Sequence, residues 1–161
     1  MKKPPNDIPQ AGLPGDSVYF KVLAEIDMIS HMSSLAFAKF LPDGITEAQF
    51  GVINRLMRLE AEETIGELAA AFQVTQPTMS STVRRLEFKR FVELVPDPAD
   101  RRIRRVRMTK VGMRVRNDTV ALLEPFYTAF EAETPDVDWD ACLAALMILR
   151  AYFERKRDKN V

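Results

Sequence analysis

Two helical segments, one near each end of the chain, are apolar on nearly every side. The first covers residues 17–41 and stops before Pro42-Asp43-Gly44, and the second covers about residues 138–157. At about 100° per residue, the large side chains of each segment surround most of the helix circumference. A chain of 161 residues has the length of one domain, which cannot bury two such helices on all sides. These segments therefore predict N- and C-terminal dimerisation helices in a homodimer.

Three short helices and two β-like runs lie between the end segments. Capping boxes at Thr46 and Thr64 begin the first two helices, and Thr75 caps the third. Residues 91–95 and 103–108 favour strands joined by a turn rich in Pro and Asp. This order predicts a mainly α (α+β) fold, a winged helix-turn-helix. A long helix follows from Thr109 to about residue 131, and Pro125 inside it predicts a kink or break.

The boundaries that follow from this pattern give five segments. We expect a flexible arm over residues 1–16 and a dimerisation helix over residues 17–41. The winged helix-turn-helix domain covers residues 42–109, the C-terminal dimerisation helices residues 110–157, and a tail residues 158–161.

The third short helix has one apolar side and one polar side. Met79, Val83 and Leu86 share the side that we expect to face the core. Small polar groups and arginines occupy its start and its opposite face, where they suit base edges and phosphates of a DNA major groove. These predicted DNA contacts are Thr75, Gln76, Pro77, Thr78, Ser81, Arg84 and Arg85.

The turn of the hairpin supplies a second predicted DNA contact, formed by Asp100, Arg101 and Arg102. A carboxylate beside two arginines predicts that Asp100 holds a guanidinium by a bidentate pair and keeps it extended. An extended arginine suits a narrow minor groove. The alternative is an ordinary solvated hairpin.

Basic residues are concentrated in one part of a chain whose net charge is zero. Twelve basic and four acidic residues lie between Arg84 and Arg116, a local charge of +8 that the rest of the chain balances with −8. Such segregation is typical of a nucleic-acid-binding face, although a solvated charged surface gives the same pattern. A winged-helix module that binds protein partners is a third interpretation.

Several motifs resemble those of the MarR family of transcriptional regulators. They are Gly66-Glu67-Leu68-Ala69, Gln76-Pro77-Thr78-Met79-Ser80, the stretch from Asp97 to Arg102, and Met108-Thr109-Lys110-Val111-Gly112. The resemblance implies a cytoplasmic, bacterial homodimer that binds a pseudo-palindromic double-stranded operator and acts as a repressor. It also implies release by a small aromatic ligand bound between the subdomains. The chain has Arg90 where the family has a glycine after the recognition helix, which requires either a left-handed arginine or a different helix end.

A candidate effector site follows from the first helix. Its members are Met28, His31, Met32 and Leu35, with Tyr127 from the long helix. This lining is apolar with one polar group and suits a small planar compound. The alternative is that side chains fill the space and no ligand binds.

The single cysteine and single histidine exclude several classes of protein. Cys142 has no partner for an internal disulfide, which favours the cytoplasm, and the start of the chain has no apolar signal stretch. No apolar run reaches the length of a membrane span. Cys142 and His31 are too few to form a set of metal ligands, so we expect no metal, no cofactor and no enzymatic activity. The apolar last helix predicts a buried, inert thiol, while a thiol-based redox regulator and, remotely, a thiol-dependent enzyme are the alternatives.

Overall fold

The computed structural model describes residues 12–158, with side chains to residue 156. The elements, in order, are α1 (Val18–Phe37), a 3-10 turn (Ala38–Phe40), α2 (Glu47–Leu59), β1 (Glu63–Thr64), α3 (Ile65–Phe72), α4 (Gln76–Phe88), β2 (Val92–Pro96), β3 (Arg104–Met108), α5 (Lys110–Leu122), α6 (Glu124–Glu133) and α7 (Trp139–Asp158). This is a mainly helical winged-helix fold, as the sequence predicts. Residues 1–11 and 159–161, which include most of the predicted arm and tail, lie outside the described residues.

The predicted helix starts are confirmed by their hydrogen bonds. Thr46 accepts a hydrogen bond from the Gln49 backbone N–H at 3.3 Å, and the Gln49 side chain accepts one from the Thr46 N–H at 3.5 Å. The second box pairs Thr64 and Glu67 at 3.1 Å and 2.7 Å. These boxes fix where α2 and α3 begin, because each satisfies backbone N–H groups that a helix start leaves without a partner.

The core of the winged-helix region lies where α2, α3 and α4 meet the sheet. Its buried members are Ile45, Phe50, Val52, Ile53, Leu56, Leu68, Ala69, Met79, Val83, Leu86, Val92 and Val106. The inward orientation of Met79, Val83 and Leu86 is confirmed. On α2, Phe50 and Ile53 are buried as predicted, but Met57 is only half-buried.

The three described strands form an antiparallel sheet in the order β1-β3-β2. The predicted hairpin is confirmed, with Val92 opposite Met108 and Pro96 opposite Arg104. Strand β1 was not predicted, because two residues carry no alternation and their pairing with β3 joins Glu63 to Val106 from far along the chain. It ties the start of α3 to the middle strand of the sheet.

The predicted break at Pro125 is confirmed. Helix α5 ends at Leu122, and α6 starts at Glu124, so Pro125 occupies the first turn of a new helix, where its missing N–H leaves no bond unmade. The described residues divide into two compact units at this point, one ending at Pro125 and the other starting at Phe126. No helix within residues 12–158 has the length and apolar character that crossing a membrane requires.

Helix α4 ends on a left-handed arginine. Arg90 has φ 61°, its N–H donates to Glu87 O at 2.8 Å, and the Phe91 N–H donates to Leu86 O at 3.0 Å. These two bonds form a Schellman motif, which normally uses glycine at the left-handed position. The alternative in which the helix ends differently is therefore wrong, and Arg90 accepts the strain.

The join between β3 and α5 is packed against the end of α4. Thr109 caps α5 through a 3.1 Å bond from the Gly112 N–H, and its hydroxyl donates to Arg90 O at 2.6 Å. A Cβ at Gly112 would lie 2.2 Å from Phe91 O. Since no side chain fits there, the Thr109-x-x-Gly112 spacing lets α5 start directly against the backbone that follows α4.

Candidate nucleic-acid interface

Helix α4 presents a polar surface opposite its buried side. The Thr75 hydroxyl accepts from the Thr78 N–H at 3.3 Å and lies 2.8 Å from the Thr78 hydroxyl. The side chains predicted to contact DNA, which are Thr75, Gln76, Pro77, Thr78, Ser81, Arg84 and Arg85, are all exposed. The start of α3 lies beside that of α4, because a Cβ on Gly66 would come within 3.0 Å of the Gln76 amide nitrogen.

The turn between β2 and β3, called the wing tip below and comprising residues 97–103, is held differently from the prediction. Asp100 does not clamp a guanidinium: its carboxylate accepts from the Arg102 backbone N–H at 2.9 Å. The clamp is Asp97, which pairs with Arg105 and also accepts from the N–H groups of Ala99 (2.7 Å) and Asp100 (3.1 Å). Asp100 therefore shapes the turn, and Arg101 and Arg102 make no ion pair within the described part of the chain.

Arg105 joins the wing tip to the start of α3. Besides Asp97, its guanidinium donates to Glu62 O at 3.0 Å and lies 3.5 Å from the Glu67 carboxylate. The hydrogen bond from Arg105 holds the pKa of Asp97 below its usual value, and the Asp97 carboxylate raises the pKa of Arg105. Both side chains remain ionised at neutral pH, and Arg105 is unavailable to DNA.

The basic segment thus separates into anchoring and unpaired side chains. Arg107 pairs with Glu93 at 2.9 Å, Arg116 donates to Asn54 at 3.0 Å, and Lys89 donates to Gly44 O and Gln49. Eight others are exposed and make no ion pair with another residue in the described part of the chain: Arg84, Arg85, Arg90, Arg101, Arg102, Arg104, Lys110 and Arg114. Arg101 and Arg102 at the wing tip belong to this group, together with Arg84 and Arg85 on α4.

One exposed residue of α4 was missed by the sequence prediction. Phe88 is 90% exposed and lies two turns after Ser81 on the polar surface, beside Arg84 and Arg85. Its helical position, about 180° from the buried Met79–Val83–Leu86 side, is the signal that identifies it as a surface aromatic.

The candidate effector residues are all exposed side chains. Met28, His31, Met32 and Leu35 lie on one face of α1, and all four are exposed. Tyr127 is also exposed and belongs to the other compact unit. Cys142 is exposed as well, so its predicted burial is wrong for the single chain. No group of three or more His, Cys, Asp or Glu side chains suited to a metal occurs among residues 12–158.

Comparison with known proteins relates part of the chain to one family. Residues 43–103, which hold α2, α3, α4 and the wing tip, match the model of the MarR family. The chain is similar to the MarR family over these residues, which are less than half of its length. Members of this family are transcriptional regulators and not enzymes. A similar relative is the transcriptional activatory protein BadR of Rhodopseudomonas palustris, 35% identical over 75 residues, which cover 45% of this chain and 43% of BadR. The match thus spans less than half of the length of BadR.

Solved structures show the same fold over more of the chain. The transcriptional regulator BldR from Sulfolobus solfataricus is 23% identical with a TM-score of 0.66, and the match covers 83% of this chain and 95% of BldR. A cysteine-to-serine mutant of MarR from E. coli, solved in complex with operator DNA, is 23% identical with a TM-score of 0.62. That match covers 85% of this chain and 99% of the mutant.

Proposed function

We propose that this chain is a homodimeric regulator of transcription that binds a pseudo-palindromic double-stranded DNA operator. Helix α4 enters the major groove through Thr75, Gln76, Pro77, Thr78, Ser81, Arg84 and Arg85. The wing tip follows the adjacent minor groove through Arg101 and Arg102, with Asp100 shaping the turn. Two copies of α4 then read half-sites about 34–36 Å apart, one turn of DNA.

The observation that carries this proposal is the division of the basic segment. Anchored arginines such as Arg105 hold the wing in place, while the arginines on α4 and at the wing tip have no acidic partner among residues 12–156. Unpaired, exposed guanidinium groups on a helix and an adjacent hairpin suit bases and phosphates of one duplex. A MarR structure of the same fold is in complex with operator DNA, which supports DNA as the proposed partner.

We propose that operator binding represses transcription, since a dimer bound to a promoter excludes the polymerase. We also propose a cytoplasmic location for the protein. The relative BadR carries the name of an activatory protein. A promoter reporter with the operator at different positions therefore tests directly whether binding represses or activates transcription. A small aromatic effector that contacts Met28, His31, Met32, Leu35 and Tyr127 remains part of the proposal. It requires that dimerisation cover the exposed face of α1.

The proposal is tested by selecting bound sequences from random DNA and measuring affinity against salt. We expect a pseudo-palindromic consensus, with a slope of log affinity on log salt of about −0.9 for each neutralised phosphate. Arg102→Ala weakens operator binding by about 1–3 kcal/mol, the range for one good groove contact.

Arg114→Ala is the matched control, because Arg114 is also exposed but lies on α5, outside α4 and the wing tip. Equal losses from the two variants would show that only total charge matters. Failure to select any consensus, with a salt slope near zero, would instead favour a module that binds protein partners.

A further inference from the structure

A pocket of about 320 Å³ lies at the end of α4, outside the candidate effector face of α1. Its walls are Thr46 and Gln49 at the start of α2 and Arg84, Arg85, Phe88 and Lys89 from α4. The lining also includes Gly44, which has a left-handed φ of 75° and whose carbonyl accepts a hydrogen bond from the Lys89 ammonium. All of these residues belong to one compact unit.

The lining of this pocket carries three cations and no carboxylate. Lys89 uses two of its three N–H groups on Gly44 O and on Gln49 at 3.3 Å, which leaves one for a ligand. Arg84 and Arg85 make no ion pair with another residue of the described part of the chain. Three positive charges around a small cavity favour a doubly charged oxyanion over a neutral or singly charged ligand.

Phe88 adds a planar wall to this cluster. It is 90% exposed, so its ring is not used by the core. A large aromatic side chain left in water beside arginines provides a surface on which a flat ring of a ligand stacks. The volume of about 320 Å³ lies at the small end of ligand pockets, with room for one ring system and one phosphate.

We propose that this pocket binds a small phosphate monoester that carries a planar ring, with a nucleoside monophosphate as the simplest example. Its phosphate lies between Arg85 and Lys89, and its ring stacks on Phe88. The site overlaps the DNA-binding surface, because Arg84 and Arg85 belong to both. Bound ligand therefore lowers operator affinity by direct competition for these arginines. This consequence rests on the proposed function, whereas ligand binding itself does not.

The test uses AMP as the probe and the purified full chain without DNA. Isothermal titration calorimetry compares AMP with adenosine, which lacks the phosphate, and with inorganic phosphate, which lacks the ring. We expect AMP to bind at least about tenfold more tightly than either compound. Adenosine lacks the charge-assisted contacts of the phosphate, and inorganic phosphate lacks the stacking contact of the ring. Phe88→Leu abolishes this advantage and Phe88→Trp retains it. Arg114→Ala is the control for general charge.

A second measurement follows a labelled operator by fluorescence anisotropy. AMP weakens operator binding by the wild-type protein, while the operator affinity of Phe88→Leu, measured first without ligand as its own reference, does not change when AMP is added. The proposal is overturned if Phe88→Leu binds AMP like wild type or if adenosine binds as tightly as AMP. It is also overturned if Lys89→Gln weakens operator binding without reducing AMP binding, because the pocket then holds a phosphate of the DNA backbone. A protein that binds AMP but selects no operator would contradict only the proposed function.

Discussion

At the scale of single residues, Gly112 is the glycine of the described chain with the least room for a side chain. An added Cβ would lie 2.2 Å from the Phe91 carbonyl, a backbone atom that cannot turn away. We expect Gly112→Ala to lower the free energy of unfolding by about 1–3 kcal/mol, as overpacking does. Chemical denaturation measures this. Gly66→Ala is the control, because its 3.0 Å neighbour is the flexible end of Gln76 and alanine favours a helix.

Arg90 is a second residue at which backbone conformation decides stability. Its φ of 61° lies in the left-handed region that disfavours residues with a Cβ, and its side chain is exposed. Arg90→Gly therefore raises the free energy of unfolding by up to about 1 kcal/mol, although the greater freedom of glycine in the unfolded chain offsets part of the gain. Glu87→Gly, inside α4, lowers the free energy of unfolding by about 1 kcal/mol. Thermal unfolding of the two variants measures both changes. If both glycine variants lost stability, the left-handed end would not be strained.

At the scale of elements, Asp97 anchors the whole wing tip. Its pKa is lowered from 3.8 by the hydrogen bond from Arg105, so the folded protein holds the charged form more strongly than the unfolded chain does. The stability from this pair is fully present above pH 3.8 and is lost as the pH falls through the lower folded value. We expect the stability difference between wild type and Asp97→Asn to be constant near neutral pH and to shrink below pH 3.8. A difference that grew on acidification would contradict the pairing.

The Asp97→Asn variant also tests whether DNA binding needs a wing tip that is held in place. Asp97→Asn leaves Arg102 in place but loosens the turn that presents it, so operator affinity falls while the salt dependence keeps its slope. A variant of a phosphate-binding residue would change both. Unchanged affinity in a folded Asp97→Asn protein would show that DNA binding does not need a fixed wing tip.

Local signals explain which elements could be predicted from the sequence. Capping residues Thr46, Thr64, Thr75 and Thr109 act within four residues of themselves, and they located the starts of α2, α3, α4 and α5. Strand β1 depends on pairing with β3 from more than 40 positions away, so no local pattern shows it. The break at Pro125 was visible because proline lacks the backbone donor.

The candidate site was predicted less completely, for a related reason. Helical periodicity separates the exposed side of α4 from its core side, yet the prediction counted only polar groups and left out Phe88. The wing clamp was assigned to Asp100 because it adjoins two arginines in sequence, whereas Asp97 reaches Arg105 across the two strands of the hairpin. Proximity along the chain does not report cross-strand contacts, and those decide which arginines are free.

At the scale of the whole molecule, large apolar side chains on the two end helices are exposed and predict a dimer. Leu35 on α1 is 62% exposed and Ile148 on α7 is 69% exposed. Contiguous apolar faces of this kind mark interfaces in soluble proteins. We expect a dimer at low micromolar concentration by sedimentation, and Ile148→Asp shifts it toward monomer or unfolding. Arg58→Glu, an exposed change of charge at the end of α2, leaves it dimeric. A folded wild-type monomer would contradict the assembly.

The arrangement of the sheet limits how two copies of this chain can pair through their edge strands. Strand β3 lies in the middle and is paired on both sides, while β1, with two residues, and β2 form the outer edges. On β2 the charged Glu93 and the proline Pro96 discourage another strand from adding to that edge, since proline has no N–H to offer. Pairing between the sheets of two copies is thereby disfavoured at β2, which fits the proposal that the helices form the dimer and the hairpin contacts DNA. A wing with a longer, uncharged edge would carry a risk of amyloid-like stacking, which this sequence keeps low.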